Sequence, residues 1–247
     1  MDIRAIVFDV NGTLIDIETD EGLEEIYRAI AHFLMYQGIS IHRWEVRNLY
    51  FQIMQQQRER SGEIFAEWDA VGVWREFLTI KATEYTRSLP AEKQAQLPHF
   101  LAELHRGIAR KKLRLYPQVQ ETLDLLKTRY RMAIVSDAQS AYAVPELCAV
   151  GIAHYFEPII VSGDYGYRKP DPRLFQKALD GLRVQPHQAL YIGNDIYHDI
   201  HGAQQVGMKA IYASYSQSNP LSGTIEPDYI LYHFADLPQA INYFEAL

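Results

Sequence analysis

From residue 114 to the end, short apolar runs alternate with helical segments, and this alternation narrows the fold more than any other feature of the chain. The runs RMAIVSDA, PIIVSG, ALYIGND and KAIYAS each follow a stretch of helical spacing, at 118–129, 140–150, 172–182 and 199–206. Near-continuous apolar strands separated by helices build a parallel sheet covered on both faces. The segment IRAIVFDV has the same character and ends in Asn11-Gly12, a tight-turn signal. DYILYHF reads as an edge strand, and 236–246 as a last helix.

Between these two parts the pattern changes. Leu23, Ile26, Ile30 and Phe33 recur at helical spacing, with Gly38 as a stop. RWEVRNLYFQIMQQQRER reads as a helix ending near Gly62, and VWREFLTIKATEYTRSL as one ending before Pro90. AEKQAQLPHFLAELHRGIARKK is expected to be helical with an interruption near Pro98. No strand is expected between Leu14 and Leu113, and Arg110-Lys111-Lys112 reads as a solvated helix end. The fold class is therefore α/β. Residues 1–15 and 113–247 are expected to form a Rossmann-like parallel sheet core with helices on both faces, and residues 16–112 an inserted all-α cap.

Composition excludes several function classes. The 247 residues carry a net charge of −7 and no long basic block, which argues against nucleic acid or an anionic membrane as partner. No apolar run approaches the length of a membrane span, and Asp9 breaks the first one. A single cysteine, Cys148, rules out an intramolecular disulfide and reads as a small buried residue among Leu147, Ala149 and Val150. A cytoplasmic protein acting on a small molecule is expected; the oligomeric state is left open.

In open parallel sheets ligands bind beyond the carboxyl ends of the strands. Asp9 ends the first strand, Ser136 and Asp137 the second, and the run after PIIVSG leads to Lys169. Gly193, Asn194 and Asp195 end the next, with Asp199 four residues on. Each alone has a structural explanation: a turn cap, a strand end, a solvated lysine, helix-start acids. Together they put a nucleophilic carboxylate, a hydroxyl, a lysine and an acidic pair on one rim. Asp9 and Asp195, with the backbone carbonyl of residue 11, suit Mg²⁺, which offsets the repulsion between Asp9 and an anionic substrate. Lys169 adds positive charge, Ser136 a hydrogen bond, and Gly12 and Thr13 a turn whose N–H groups face phosphate oxygens.

The chain resembles the haloacid dehalogenase superfamily of hydrolases over essentially its whole length, in its phosphatase-like branch with a helical cap. FDVNGTL looks like the first motif, VSDA the second, RKPDPRLF the third and YIGNDIYHDIHGAQQVGM the fourth. The resemblance implies that Asp9 is the nucleophile, that Ser136 and Lys169 are its phosphate partners and that Asp195 is a metal ligand. It implies that Asn194 and Asp199 support them, Asp199 either from behind the metal or by holding Lys169.

Two positions depart from the family pattern. A second Asp usually stands where Asn11 is, protonating the leaving alcohol and then activating water. An amide has no proton to exchange for either task. Asp137 stands where Asn is common, and a further carboxylate beside a phosphate site must point away or meet a cation. Three readings stay open: a Mg²⁺-dependent phosphatase acting through an aspartyl-phosphate at Asp9, a 2-haloacid dehalogenase-like enzyme, and a non-catalytic binding protein. In the cap, His42, Arg47, Arg58, Arg60, Trp68 and Trp74 are candidate lining residues, each expected to be packed or solvated. Tyr27, Tyr36 and Tyr50 hint at an organic leaving group.

Overall fold

The computed structural model describes residues 1–216 and 224–247. Among these, eight strands and ten helices follow in chain order. The ribbon strand β2 (Ile15–Thr19) comes directly after β1 (Ala5–Phe8). Five helices follow: α1 (Glu24–Met35), α2 (Arg43–Ser61), α3 (Ala70–Lys81), α4 (Glu84–Ser88) and α5 (Ala91–Ala109). The chain returns through β3 (Arg110–Leu115), α6 (Val119–Leu126), β4 (Arg131–Ser136), α7 (Ser140–Ala149) and β5 (Ile159–Val161). It ends with α8 (Pro172–Leu182), β6 (Ala189–Gly193), α9 (Gly202–Gln205), β7 (Lys209–Ala213), β8 (Tyr229–Leu231) and α10 (Leu237–Glu245).

Six strands form the expected parallel sheet, in the order β5-β4-β1-β6-β7-β8. Phe8 pairs with Ile134 on one side and Ile192 on the other, so β1 and Asp9 beyond it are central. Side chains alternate across the sheet. Ile6, Phe8, Ile134 and Ile192 pack with α6 and α10, and Val7, Val135 and Tyr191 with α8 and α9. Strands buried on both faces need the continuous apolar runs seen in the sequence.

The insertion is helical, with its own core of Ile26, Tyr50, Ile53, Trp74, Phe77 and Leu101. A strand pair at its base was not expected. β2 and β3 pair antiparallel, Ile15 with Leu115 and Ile17 with Leu113. Arg110-Lys111-Lys112 is therefore the start of a strand, not a helix end. Period-two alternation turns the isoleucines and leucines inward. The charges meet across the ribbon, Lys112 Nζ 2.5 Å and Arg114 Nη2 2.9 Å from Asp16 Oδ2, and Lys111 Nζ 2.7 Å from Asp20 Oδ2. Each strand is too short to stand alone, and its partner lies far away in sequence.

Other expectations needed smaller corrections. α5 runs unbroken through Pro98, because losing one helical bond is outweighed by the burial of Leu97, Pro98, Leu101 and His105. The helix expected to reach Pro90 is two helices, split where Thr83 Oγ1 accepts from the Thr86 N–H and starts α4. The helix expected from 199 begins at Ile196 as a π-helical turn, Ile196–His201. Cys148 is exposed, since α7 buries Tyr142, Ala143, Glu146 and Leu147 on its other side.

Candidate active site

Every strand-end group expected at the rim is there. Asp9 is anchored by its own N–H, which donates to the Ile192 carbonyl at 2.9 Å. The chain then turns sharply at Gly12, φ +81°, where any side chain would run into the Asn194 amide. The N–H groups of Gly12 and Thr13, expected to face phosphate oxygens, are instead used inside the turn, donating to the carbonyls of Ile15 and Val10 at 2.9 and 3.2 Å, and the Asn11 carbonyl is left out of these bonds. Thr13 Oγ1 lies 3.4 Å from Asp9 Oδ2 and 3.5 Å from Asn194 Oδ1, and its carbonyl accepts from Tyr215 Oη at 2.6 Å.

Lys169 is buried between two carboxylates, its Nζ donating to Asp9 Oδ1 at 2.7 Å and Asp199 Oδ1 at 2.5 Å. Asp199 does two tasks. Its other oxygen accepts the N–H groups of Asn194 and Asp195, both at 3.0 Å, and so fixes the loop after β6. Gly193 makes this approach possible, because a side chain there would strike Asp199. Asp195 caps the π-helical turn, its Oδ1 accepting from Tyr197 N and His198 N at 2.9 and 2.7 Å. Asp137 meets a cation, accepting from Arg168 Nε at 3.2 Å and from the Lys169 N–H at 2.8 Å. Ser136 Oγ is buried beside these groups with no hydrogen-bond partner among the described residues. A buried hydroxyl without a partner is costly unless a ligand supplies one.

The electrostatics follow from burial. Burial pushes the Asp9 carboxyl up to about 7, and Asp199 adds to the rise, while the Lys169 ammonium opposes it. For Lys169 burial favours the neutral amine, but Asp199 and Asp9 together overrule it and hold the ammonium well above its ordinary range. The Asp195 carboxyl lies well below the usual range, chiefly through its interaction with the His198 ring, with backbone N–H groups adding to it.

One member of this network is not among the rim residues expected from the sequence. Tyr191 Oη accepts from Lys169 Nζ at 3.2 Å and lies 2.9 Å from Asp199 Oδ1 and 3.1 Å from the Val135 carbonyl. A signal existed: a tyrosine inside a strand buried on both faces must find a partner for its hydroxyl. Tyr191→Phe should cost about 1–2 kcal/mol of stability in a denaturant titration and leave phosphate or halide release within about tenfold of wild type.

Asn11 faces a cleft of about 200 Å³ between the insertion and the sheet, lined also by Glu21, Arg58, Glu67, Trp68, Arg106, Asp137, Gln139, Tyr142 and Arg168. Arg58 and Trp68, expected to be solvated or packed, thus face the cleft. Trp74 and Tyr50 lie in the insertion's core, as does Tyr27, whereas Arg60 pairs with Glu76 and both His42 and Tyr36 are exposed. Arg47 stacks over Phe51. The cleft is closed by polar contacts from both sides. Gln139 Oε1 accepts from Ala70 N at 2.8 Å, its Nε2 donates to Trp68 O at 2.7 Å, and Arg168 N donates to Phe65 O at 2.8 Å.

A family model described as haloacid dehalogenase-like hydrolase matches residues 6–213, which hold every group described above except Tyr215. The chain belongs to this hydrolase family. Among curated relatives of the hydrolase, a glyceraldehyde 3-phosphate phosphatase of Pyrococcus furiosus is 31% identical over 134 residues, 54% of this chain and 55% of that protein. The match thus spans only about half of that relative. A phosphoglycolate phosphatase of Yersinia pseudotuberculosis is 28% identical over 97% of this chain and 94% of its own length. Two solved structures share the fold. A 2-haloacid dehalogenase from Pseudomonas syringae has a TM-score of 0.71 at 21% identity, covering 98% of this chain and 99% of that one. The hydrolase YfnB from Bacillus subtilis, solved bound to magnesium, has a TM-score of 0.55 at 20% identity, covering 98% and 100%.

Among the described residues no cluster of three or more His, Cys, Asp or Glu side chains is placed to hold a metal. A cation here must rely on fewer carboxylates, and the donors fit that need. Asp9 Oδ2 has a long contact with the Thr13 hydroxyl, Asp195 uses one oxygen for capping, and the Asn11 carbonyl is spared by the turn. Two carboxylate oxygens and a carbonyl are hard donors of the kind Mg²⁺ takes while keeping several waters. No helix among the described residues is long and apolar enough to cross a membrane.

Proposed function

We propose that this hydrolase is a Mg²⁺-dependent phosphatase of a small phosphorylated metabolite, working through a covalent phosphoryl group on Asp9. The observation that carries this reading is the buried, unpartnered hydroxyl of Ser136 at the end of β4, the strand paired with β1, which leads to Asp9. A phosphoryl oxygen would complete that hydrogen bond; the carboxylate of a 2-haloacid would too, so the hydroxyl marks an anion site and the choice of phosphate rests on the relatives. The phosphatase names of the sequence relatives support the same substrate class, and the magnesium-bound relative supports the metal. The dehalogenase likeness, at 21% identity, bears on the fold alone.

In this reading Asp9 attacks phosphorus and the bond to the leaving oxygen breaks. Lys169 holds the carboxylate in line and faces the developing charge, and Ser136 donates to an equatorial oxygen. Gly12 and Thr13 shape the turn that follows Asp9, and the Thr13 hydroxyl lies beside its carboxylate. Water then attacks phosphorus and returns Asp9. Bound Mg²⁺, held by Asp9, Asp195 and the Asn11 carbonyl, would supply positive charge against the repulsion between carboxylate and phosphate. Residues 16–112 act as the cap that excludes water and selects the leaving group.

The test is an assay of p-nitrophenyl phosphate and of a 2-haloacid, each with Mg²⁺ and with EDTA. Phosphate release that requires Mg²⁺ is the expected outcome. Halide release insensitive to EDTA overturns the reading, and so does the absence of both activities.

A further inference from the structure

Asn11 leaves the proton transfers of such a reaction without an owner, and the cleft wall facing it holds a carboxylate placed to take them. We propose that Glu21, backed by His105, is the general acid and base of this site; the proposal rests on the phosphatase reading. Glu21 and Asn11 line the same small cleft, and Asn11 stands two residues along the chain from Asp9. The segment carrying Glu21 is held firmly. Tyr27 Oη donates to its carbonyl at 2.5 Å, and the adjacent Asp20 accepts from Gly22 N and Lys111 Nζ at 2.9 and 2.7 Å.

The three carboxylates of the cleft differ in what occupies them. Glu67 accepts from Ser162 Oγ and Trp68 N, at 2.9 and 3.0 Å. Asp137 accepts from Arg168 and the Lys169 N–H. Glu21 meets a second proton carrier instead: its Oε2 lies 2.5 Å from His105 Nε2, off the line of a regular hydrogen bond. His105 is fully buried, with the rings of Tyr27, Tyr50 and Trp74 at 5.7, 4.5 and 5.9 Å. Neither ring nitrogen has another partner among the described residues. An imidazole in an aromatic cage costs stability that a phenyl ring would not, unless its polar edge has a use. Arg106 lies 3.8 Å from Glu21 but gives its closer bonds, 2.7 and 3.2 Å, to Glu146.

In the first step the Asp9–phosphorus bond forms, the bond from phosphorus to the leaving oxygen breaks, and that oxygen takes the proton of the Glu21 carboxylic acid. In the second, Glu21 as carboxylate takes a proton from the attacking water, whose oxygen bonds to phosphorus as the Asp9 bond breaks. Glu21 ends protonated, as it began. His105 is a positioning residue, holding the carboxyl toward the cleft.

The test compares phenyl phosphate with p-nitrophenyl phosphate, two aryl esters whose leaving groups differ in their need for a proton. Glu21→Gln should lower kcat for phenyl phosphate about 100-fold or more and for p-nitrophenyl phosphate at least about tenfold less, with a burst of p-nitrophenol before slow turnover. Adding Asn11→Asp to Glu21→Gln should restore most of the phenyl phosphate rate. His105→Gln should show the same leaving-group bias more weakly, again relieved by Asn11→Asp. Equal losses on both substrates without rescue, or no loss in a variant with wild-type circular dichroism, overturn the role of Glu21 while phosphatase activity in the wild type stands. Absence of phosphate release by the wild type overturns both readings.

Discussion

Asp9→Asn should reduce phosphate release by about 10⁴-fold or more, the scale on which loss of a covalent nucleophile acts. The amide is nearly isosteric, and its carbonyl still accepts from Lys169, so the fold is retained. In EDTA the variant should even be the more stable protein at alkaline pH. Burial raises the Asp9 carboxyl from its ordinary 3.8 to about 7 in the folded chain. The folded state therefore holds that proton more tightly than the unfolded one. The stability this gives is complete below about pH 4 and is lost as pH rises through about 7. The amide of the variant has no such loss, so the gap in melting temperature should widen from about pH 4 to 7 and level off above. Mg²⁺ should close the gap, because it binds the ionised wild-type carboxylate. A melting profile with the same pH dependence in both proteins would contradict this view of the site.

Lys169→Met should be worse for the protein as a whole. It leaves Asp9 and Asp199 buried together without the ammonium that lies 2.7 and 2.5 Å from them. Removing one partner from a buried ionic group typically costs about 3–5 kcal/mol. Loss of the charge facing the transferring group should lower kcat roughly 10³-fold as well. The two effects separate in a double variant. Adding Asp199→Asn to Lys169→Met removes one leftover charge and should recover much of the stability, measured by denaturant titration, while activity stays lost. Recovery of activity in the double variant would show that the lysine only balances Asp199.

The rim was legible because strand ends are. Asp9, Ser136 and Asp195 stand where apolar runs stop, and parallel topology brings such ends to one edge. Lys169 and Asp199 follow within a few residues. Tyr191 was harder, since its strand position marks it as core and only its hydroxyl betrays a second role. The ribbon of β2 and β3 was missed because its strands are short and joined across the whole insertion, so neither carries a signal without the other. The unbroken α5 was missed for the opposite reason: Pro98 is a strong local signal, overruled by packing that local sequence does not contain. The cleft wall lay furthest from reach. Glu21, Arg58, Arg106 and Gln139 come from four separate segments, and their polar groups look alike whether they face solvent or substrate. Arg58 illustrates this, since a basic residue near a helix end reads as solvated until the fold turns it inward.

The proposed function turns on Asp9 taking the phosphoryl moiety from the substrate, since every other proposed role at the rim depends on that step. Incubating the hydrolase with p-nitrophenyl phosphate and Mg²⁺, quenching in acid within the first turnover and sequencing the peptides by mass spectrometry tests this most directly. A phosphoryl group on the peptide containing Asp9, located on that residue and missing in EDTA, is the predicted result. Turnover of the phosphate ester with no label on Asp9, or a label on another residue, would contradict it.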